Sequence, residues 1–174
     1  MDYFIQNLIN ALQWGSFYAV ISIGYSMVYG VLMLFNFAHG DIFMVGTYIG
    51  LGIATLLLTL FSGALPGWII FILTVVITMF LAAFVGAFVE LVGYRPLRGA
   101  PRASAAITGL MIGIIFETGN LIILGAKRFS FPSLIESTSY NVGGIYFTNV
   151  KVLIIVVSLI LMLGLHTFIQ KSKW

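Results

Sequence analysis

Five runs of apolar residues, each long enough to cross a lipid bilayer as a helix, constrain the fold more than any other feature of the sequence. They cover residues 7–35, 42–62, 68–92, 103–124 and 151–170. A spanning helix needs about 20 mostly apolar residues. The strands of a membrane barrel would instead alternate apolar and polar residues. The sequence therefore predicts an all-α polytopic membrane protein with about five transmembrane helices.

The charged residues support this class and predict an orientation. Only 7% of the residues are charged, against roughly 25% in soluble domains. The loop at 94–102 carries three arginines and no acidic residue, which predicts a cytoplasmic location. Alternating crossings then place the N-terminus and the loop at 125–150 outside, and the C-terminus inside, where Lys171 and Lys173 agree. Lys127, Arg128 and Lys151 fall on the outer side and weaken this orientation.

A polar cluster at residues 36–41 separates the first two apolar runs. It contains Asn36, His39, Gly40 and Asp41. A bilayer core offers no water to such groups, so they lie at a membrane edge, face protein or line a wet cavity. One interpretation is a broken helix that lines a substrate path, with Gly40 permitting the break and Asp41 capping the next half-helix. The other is a short cytoplasmic turn.

Two helix arrangements are compatible with residues 7–62. In the first, the first helix ends near residue 34 and the polar cluster is a cytoplasmic loop. In the second, the chain turns near Gly24, and a helix from about Ser26 to residue 58 is interrupted within the membrane at 36–41. Both arrangements make two crossings, so the charge pattern does not choose between them.

Several blocks of sequence resemble a known family. They read GSFYAV at 15–20, GYSMVYGVL at 24–32, NFAHGD at 36–41, GTY at 46–48 and YRPLRGAPR at 94–102. Their order and spacing are similar to those of bacterial branched-chain amino-acid ABC transporter permeases, and most similar to the H-type inner-membrane subunit. The resemblance extends over essentially the whole chain.

This resemblance implies a permease subunit in the cell inner membrane that forms part of a substrate pathway. The implied partners are a second permease subunit, cytoplasmic ATPase subunits, a periplasmic substrate-binding protein and membrane lipid. The alternatives are a permease for urea or short amides, or a truncated membrane scaffold that does not transport. Family members are longer, so residues 1–174 are expected to be the N-terminal portion of a permease domain. The coupling segment and a second interrupted helix are then missing.

Enzyme, metal and nucleic-acid functions are not predicted. The chain has no Gly-Lys-Ser/Thr phosphate loop, so ATP hydrolysis is expected on a separate subunit. With His39, His166 and no cysteine, neither a metal site nor a cofactor site is expected. The formal net charge of +3 reflects loops beside lipid headgroups rather than a nucleic-acid partner.

Glu117 is the acidic residue that falls inside the fourth apolar run. A charge at the bilayer centre costs around 2.5–3.5 kcal/mol on insertion scales, so Glu117 needs a partner or water. It is either a pathway residue or a structural carboxylate helped by Asn120 one turn later. Because this family more often has a neutral glutamine nearby, a conserved role for Glu117 does not follow from the resemblance.

The arginine loop and its neighbouring acid predict an interfacial site. Glu90 lies near the inner end of the third run, close in sequence to Arg95, and is expected to form an ion pair that fixes the loop. The arginines of the loop are candidates for contact with the ATPase or with lipid phosphates; they are Arg95, Arg98 and Arg102. Two glycine pairs spaced by four residues, Gly46–Gly50 and Gly109–Gly113, predict close helix packing.

Overall fold

The computed structural model of the chain describes residues 2–33, 35–61, 64–142 and 144–171. The helices are α1 (Asp2–Leu32), α2 (His39–Leu60), α3 (Gly67–Val89), α4 (Arg102–Leu124) and α5 (Asn149–Lys171), and the strands are β1 (Ser139–Val142) and β2 (Ile145–Thr148). Contacts divide the chain into two compact units. The first unit contains residues 1–31 and 136–174, and the second contains residues 32–135.

The predicted all-α membrane class is confirmed. Four of the described helices are long and apolar enough to cross a bilayer, namely His39–Leu60, Gly67–Leu97, Ala103–Leu124 and Asn149–Lys171. The remaining long helix, α1, has 31 residues and an axial length of about 46 Å. Its tyrosines, serines, Asn10 and Gln13 lower its hydropathy below that of the other four. The orientation in the membrane stays a prediction.

The second arrangement, with a turn near Gly24 and a single helix broken at 36–41, is excluded because α1 continues through Gly24 to Leu32. The first helix therefore ends close to residue 34, as in the first arrangement. The predicted start of the loop at residue 94 is also wrong. The chain continues from α3 through a π-helical turn, Glu90–Tyr94, and a 3-10 turn, Arg95–Leu97. Pro96 is tolerated there because the first turn of a helix does not use its own N–H groups.

In the second unit, α2 and α3 are antiparallel and approach closely at glycines. A Cβ added at Gly46 would lie 3.6 Å from Ala82 Cβ, and one added at Gly50 would lie 3.4 Å from the Thr78 side chain. As α2 advances by four residues, its neighbour on α3 moves back by four. The Gly46–Gly50 pair therefore lies at a close helix contact, as the sequence predicted.

Two small buried clusters hold this unit together. One contains Ala54, Leu57, Ile70 and Leu134, so the chain that follows α4 returns to cover α2 and α3. Leu134 reaches this position because Gly67 has no side chain: a Cβ there would overlap the Leu134 carbonyl oxygen. The second cluster contains Val89, Tyr94 and Ala105, and it joins the π-helical turn to α4.

The first unit is joined by polar contacts between α1 and the hairpin–α5 segment. The Gln6 side-chain amide donates to the Tyr146 carbonyl (2.9 Å) and accepts from the Tyr146 N–H (2.8 Å). One turn along α1, the Lys151 ammonium donates to Asn10 Oδ1 (2.9 Å). Asn149 begins α5, and its side chain accepts from the Thr138 N–H (3.0 Å) and donates to the Glu136 carbonyl (2.8 Å).

The β1–β2 hairpin was not predicted. Its strands are antiparallel, with Ser139 opposite Thr148 and Val142 opposite Ile145. The sequence carries the signal, because two runs rich in aromatic and β-branched residues flank Gly143-Gly144, a dipeptide typical of two-residue hairpin loops. Gly143 itself lies outside the described residues, and Gly144 has a φ of 86°.

The expected ion pair at Glu90 is present, but its partner is Arg98 rather than Arg95. Arg98 Nη2 donates to Glu90 Oε1 at 2.6 Å. The Arg98 side chain is 66% exposed, and exposed pairs contribute only about 0–1 kcal/mol. We expect Arg98→Ala to lower the unfolding midpoint of the detergent-solubilised protein by no more than a few degrees. A loss of the folded protein would contradict this.

Candidate functional site

The polar cluster forms an interruption between α1 and α2. Met33 has a φ of 52°, so the chain leaves α1 in the left-handed region. The His39 N–H then donates to the Asn36 carbonyl (3.2 Å), and the Ile42 N–H donates to the Ala38 carbonyl (2.9 Å). These bonds start α2 at His39, with Ala38 as its N-cap residue and no side-chain cap.

Two expectations about this segment are therefore wrong. Asp41 is not the N-cap residue, because the first helical hydrogen bonds begin three residues earlier and place Asp41 in the first turn of α2. Gly40 does not provide the break, because it lies within the α-helix, and a Cβ there would meet nothing within 4 Å. The residue with the left-handed backbone is Met33.

Asn36 is buried, with 8% of its surface exposed, and its side chain has a specific partner. The Tyr94 hydroxyl donates to Asn36 Oδ1 at 2.8 Å. Tyr94 is itself only 4% exposed. A buried acceptor without a donor would cost about 1–3 kcal/mol, so this bond is what allows Asn36 to lie inside the unit.

Gly109 and Gly113 bring α4 against the interruption. A Cβ added at Gly109 would lie 2.5 Å from the Tyr94 hydroxyl oxygen and 3.2 Å from the Phe37 backbone nitrogen. A Cβ added at Gly113 would overlap Asp41 Oδ2. As α4 advances by four residues, its neighbour advances from Phe37 to Asp41, so the start of α2 is parallel to α4. The Gly109–Gly113 pair thus forms a close contact, as predicted.

Because of these contacts, the interruption lies beside the middle part of α4 rather than beside its end. The helix has 23 residues from Arg102, which is about 34 Å at 1.5 Å per residue. Gly109 follows Arg102 by seven residues and Gly113 by eleven, which is about 10 and 16 Å along the axis. Ala38 is therefore about a third of the way along α4, and Asp41 is close to its midpoint.

The side chains of the cluster differ in accessibility. Ala38 is fully buried, His39 and Asp41 are half-buried, and Gly40 is exposed. Phe35 and Phe37 lie on either side of Asn36 in the sequence, with ring centroids 6.3 Å apart, and both rings are about half exposed. The segment thus presents polar atoms, exposed backbone at Gly40 and two apolar rings within seven residues.

Glu117 lies on α4 one turn beyond Gly113, and it is exposed. Within the described part of the chain its side chain makes no hydrogen bond or ion pair, and the expected help from Asn120 is not seen. The structure therefore does not bring Glu117 into direct contact with the polar cluster. Its role as a pathway residue stays a prediction.

Nearly the whole chain matches a known family. Residues 7–174 match the model of the branched-chain amino acid transport system / permease component family. The chain belongs to this permease-component family. It is a multi-pass protein of the cell inner membrane, in agreement with its four span-length apolar helices.

Individual relatives agree with the family. The chain is 33% identical over 177 residues to the high-affinity branched-chain amino acid transport system permease protein BraD of Pseudomonas aeruginosa. It is 32% identical over 176 residues to the permease proteins named LivH of Escherichia coli and Salmonella typhimurium. Each match covers 98% of this chain and 56% of the relative, so the chain spans about half of their length. No solved structure matches the chain.

The arginines predicted as a contact site lie in the turn that connects α3 to α4. Arg95 begins the 3-10 turn and is exposed, and Arg98 forms the ion pair with Glu90. Arg102 begins α4, and its side chain lies outside what the structure describes. Nothing in these positions prevents contact with a partner or with headgroups.

Two further observations concern sites outside the polar cluster. Among the described residues, no three side chains of the metal-ligating types come together. A shallow groove on α5 is lined by Gly164, Thr167, Phe168 and Lys171, and it includes none of the predicted site residues.

The sequence alone did not identify Tyr94 as a residue of the site. The residue was considered only as the start of the arginine loop. A tyrosine at the end of an apolar run is typical of a membrane interface, and its partner lies 58 residues away. The only signal in the sequence was that a buried Asn36 would need a donor somewhere.

Proposed function

We propose that this chain is part of the transmembrane permease subunit of a binding-protein-dependent ABC importer for branched-chain amino acids. Its partners would be a second permease subunit, cytoplasmic ATPase subunits that hydrolyse ATP, and a periplasmic substrate-binding protein. Membership of the permease-component family supports this proposal, as do the printed names of the relatives.

The observation that carries the proposal is the depth of the interruption along α4. If α4 spans the bilayer, Asn36, His39, Gly40 and Asp41 lie between its first third and its midpoint. Polar groups at that depth face protein or a water-filled cavity, so the connection between α1 and α2 would line such a cavity. Glu117 would extend the same path by one turn of α4.

The chemistry of the segment suits an aliphatic amino acid. Such a substrate carries an ammonium group, a carboxylate and an apolar side chain. The Asp41 carboxylate offers an acceptor for the ammonium group, and the exposed backbone at Gly40 allows close approach. Phe35 and Phe37 present apolar rings beside these polar groups. The cluster therefore offers contacts for the ammonium group and for the apolar side chain of the substrate.

A cysteine at Gly40 tests whether the interruption lies on the path. The 174 residues contain no cysteine, and a side chain at Gly40 enters open space. In the full-length permease assembled with its ATPase and binding protein, we expect Gly40→Cys to react with a membrane-impermeant thiol reagent at a rate that changes with substrate and ATP. Gly52→Cys is the matched control, because Gly52 is also a glycine of α2 with open space around it; its labelling should not change. Labelling rates that are equal at both positions and do not change with substrate or ATP would contradict the proposal.

The substrate is tested by competition in the same assembly. We expect leucine, isoleucine and valine to compete for uptake, and urea and short amides to have little effect. Inhibition by urea or amides alone would favour the alternative substrate class. Absence of any uptake by a correctly assembled complex would favour a scaffold that does not transport.

A further inference from the structure

Tyr94 connects two features that are 58 residues apart in the sequence. Its hydroxyl donates to Asn36 Oδ1 at 2.8 Å, so it contacts the interruption between α1 and α2. Its backbone is the last residue of the π-helical turn Glu90–Tyr94, and the next residue begins the 3-10 turn Arg95–Leu97. Tyr94 therefore links the arginine turn directly to Asn36.

The surroundings of Tyr94 leave it little freedom. It is 4% exposed and belongs to the buried cluster with Val89 and Ala105. A Cβ added at Gly109 would lie 2.5 Å from its hydroxyl oxygen, so α4 closes the space beyond the ring. π-helical turns are rare and occur frequently at functional sites. Here the wide turn ends at the residue that reaches Asn36.

The arginine turn has contacts of its own. Arg98 Nη2 donates to Glu90 Oε1, so the two ends of the π-helical and 3-10 turns are joined across the segment that contains Tyr94. On the neighbouring face, a Cβ at Gly93 would lie 2.5 Å from Ile112 Cδ1. The segment from Glu90 to Arg98 thus contacts α4 at Gly93 and Tyr94, and the Tyr94 hydroxyl extends from it toward Asn36.

We propose that Tyr94 is a positioning residue for transport, whose hydroxyl holds Asn36 and couples the arginine turn to the interruption that lines the path. The proposal rests on the proposed function. It assigns no contact with substrate to Tyr94. The hydroxyl acts through Asn36, and the effect of its removal is a weaker link between ATP-driven movement and the path.

The test compares Tyr94→Phe with Tyr48→Phe in the assembled full-length permease. Both changes remove one hydroxyl from a tyrosine of the same unit. The Tyr48 ring packs edge-on against Phe129, and no hydrogen bond of its hydroxyl is observed within the described residues. Because a single hydrogen bond contributes about 0.5–1.5 kcal/mol, we expect Tyr94→Phe to lower maximal uptake roughly two- to tenfold with little change in KM. Tyr48→Phe should behave as the unmodified protein.

A labelling measurement separates positioning from a merely structural role. In the Gly40→Cys background, Tyr94→Phe should reduce the ATP-dependent change in thiol labelling, normalised to the amount of permease in the membrane. A structural role alone would lower that amount and leave the normalised change intact, which would overturn the proposal. If Tyr94→Phe fails to accumulate, Asn36→Ala removes the same bond from the other side, and an unchanged ATP-dependent labelling difference there would also overturn it.

A double variant tests the route through Asn36. If the hydroxyl acts through Asn36, Tyr94→Phe should have no additional effect on maximal uptake once Asn36→Ala is present. Independent, multiplying losses would contradict the route. Failure of the proposed function is distinguishable, because it would appear as absent uptake in the unmodified assembly, whereas the labelling comparison does not require the substrate to be a branched-chain amino acid.

Discussion

Replacing Gly109 with alanine is expected to lower both the stability of the permease and its uptake rate by a large factor. The new Cβ would lie 2.5 Å from the Tyr94 hydroxyl oxygen and 3.2 Å from the Phe37 backbone nitrogen. Neither atom retreats easily, because Tyr94 is buried and the nitrogen belongs to the backbone. Overpacking of this kind costs about 1–3 kcal/mol, which exceeds the gain of roughly 1 kcal/mol from helix propensity.

The uptake loss should exceed the loss of protein. Separation of α4 from Phe37 also breaks the Tyr94–Asn36 bond, so at equal membrane abundance we expect maximal uptake to fall by at least the roughly two- to tenfold that loss of this bond causes. The measurements are the unfolding midpoint in detergent and uptake by the assembled transporter.

Gly119→Ala is the matched control on α4. A Cβ at Gly119 meets nothing within 4 Å, so that variant should be unchanged or slightly stabilised. Gly93→Ala gives an intermediate case, because its nearest neighbour is the far end of the flexible Ile112 side chain. Equal unfolding midpoints for the Gly109 and Gly119 variants would show that the close contact at Gly109 does not matter.

The long helices were predictable because the bilayer requires apolar runs of a fixed length. The fourth run was expected at 103–124, and α4 is Arg102–Leu124. The end of α3 was not predictable in the same way. The apolar pattern stops near residue 92, but the backbone remains helical to Leu97, because tertiary contacts of Tyr94 and Gly93 with α4 and Asn36 favour that conformation.

The polar residues of the candidate site could be singled out from the sequence, but Tyr94 and the arrangement of the site could not. Asn36 and Asp41 stand out because polar groups are costly within apolar runs. The start of α2 was misplaced because any of several residues in the cluster could cap a helix, and only the hydrogen bond to the Ala38 carbonyl decides between them. The depth of the cluster depends on its contacts with Gly109 and Gly113, which lie about 70 residues away and leave no local signal in the chain.

Asp41→Asn is expected to reduce uptake strongly while leaving the fold nearly intact. Asp41 lies in the first turn of α2, where a carboxylate near the positive end of the helix dipole contributes about 0.3–1 kcal/mol. The loss of folding stability should stay within that range. The loss of function should be larger, because the amide presents no negative charge to a substrate ammonium group at the midpoint of α4.

The effect should appear mainly in KM, with an increase of at least about tenfold, since a hydrogen bond to a charged group contributes about 1.5–3 kcal/mol. Asp41→Glu should not restore uptake, because Gly113 leaves no room beside the existing carboxylate and an added methylene would push α4 away. Glu136→Gln is the control for loss of a carboxylate, since Glu136 is exposed and belongs to no predicted site; its KM should equal that of the unmodified permease. An unchanged KM for Asp41→Asn at normal abundance would show that Asp41 does not contact the substrate. The interruption would then stabilise the packing of α2 against α4 rather than recognise the substrate.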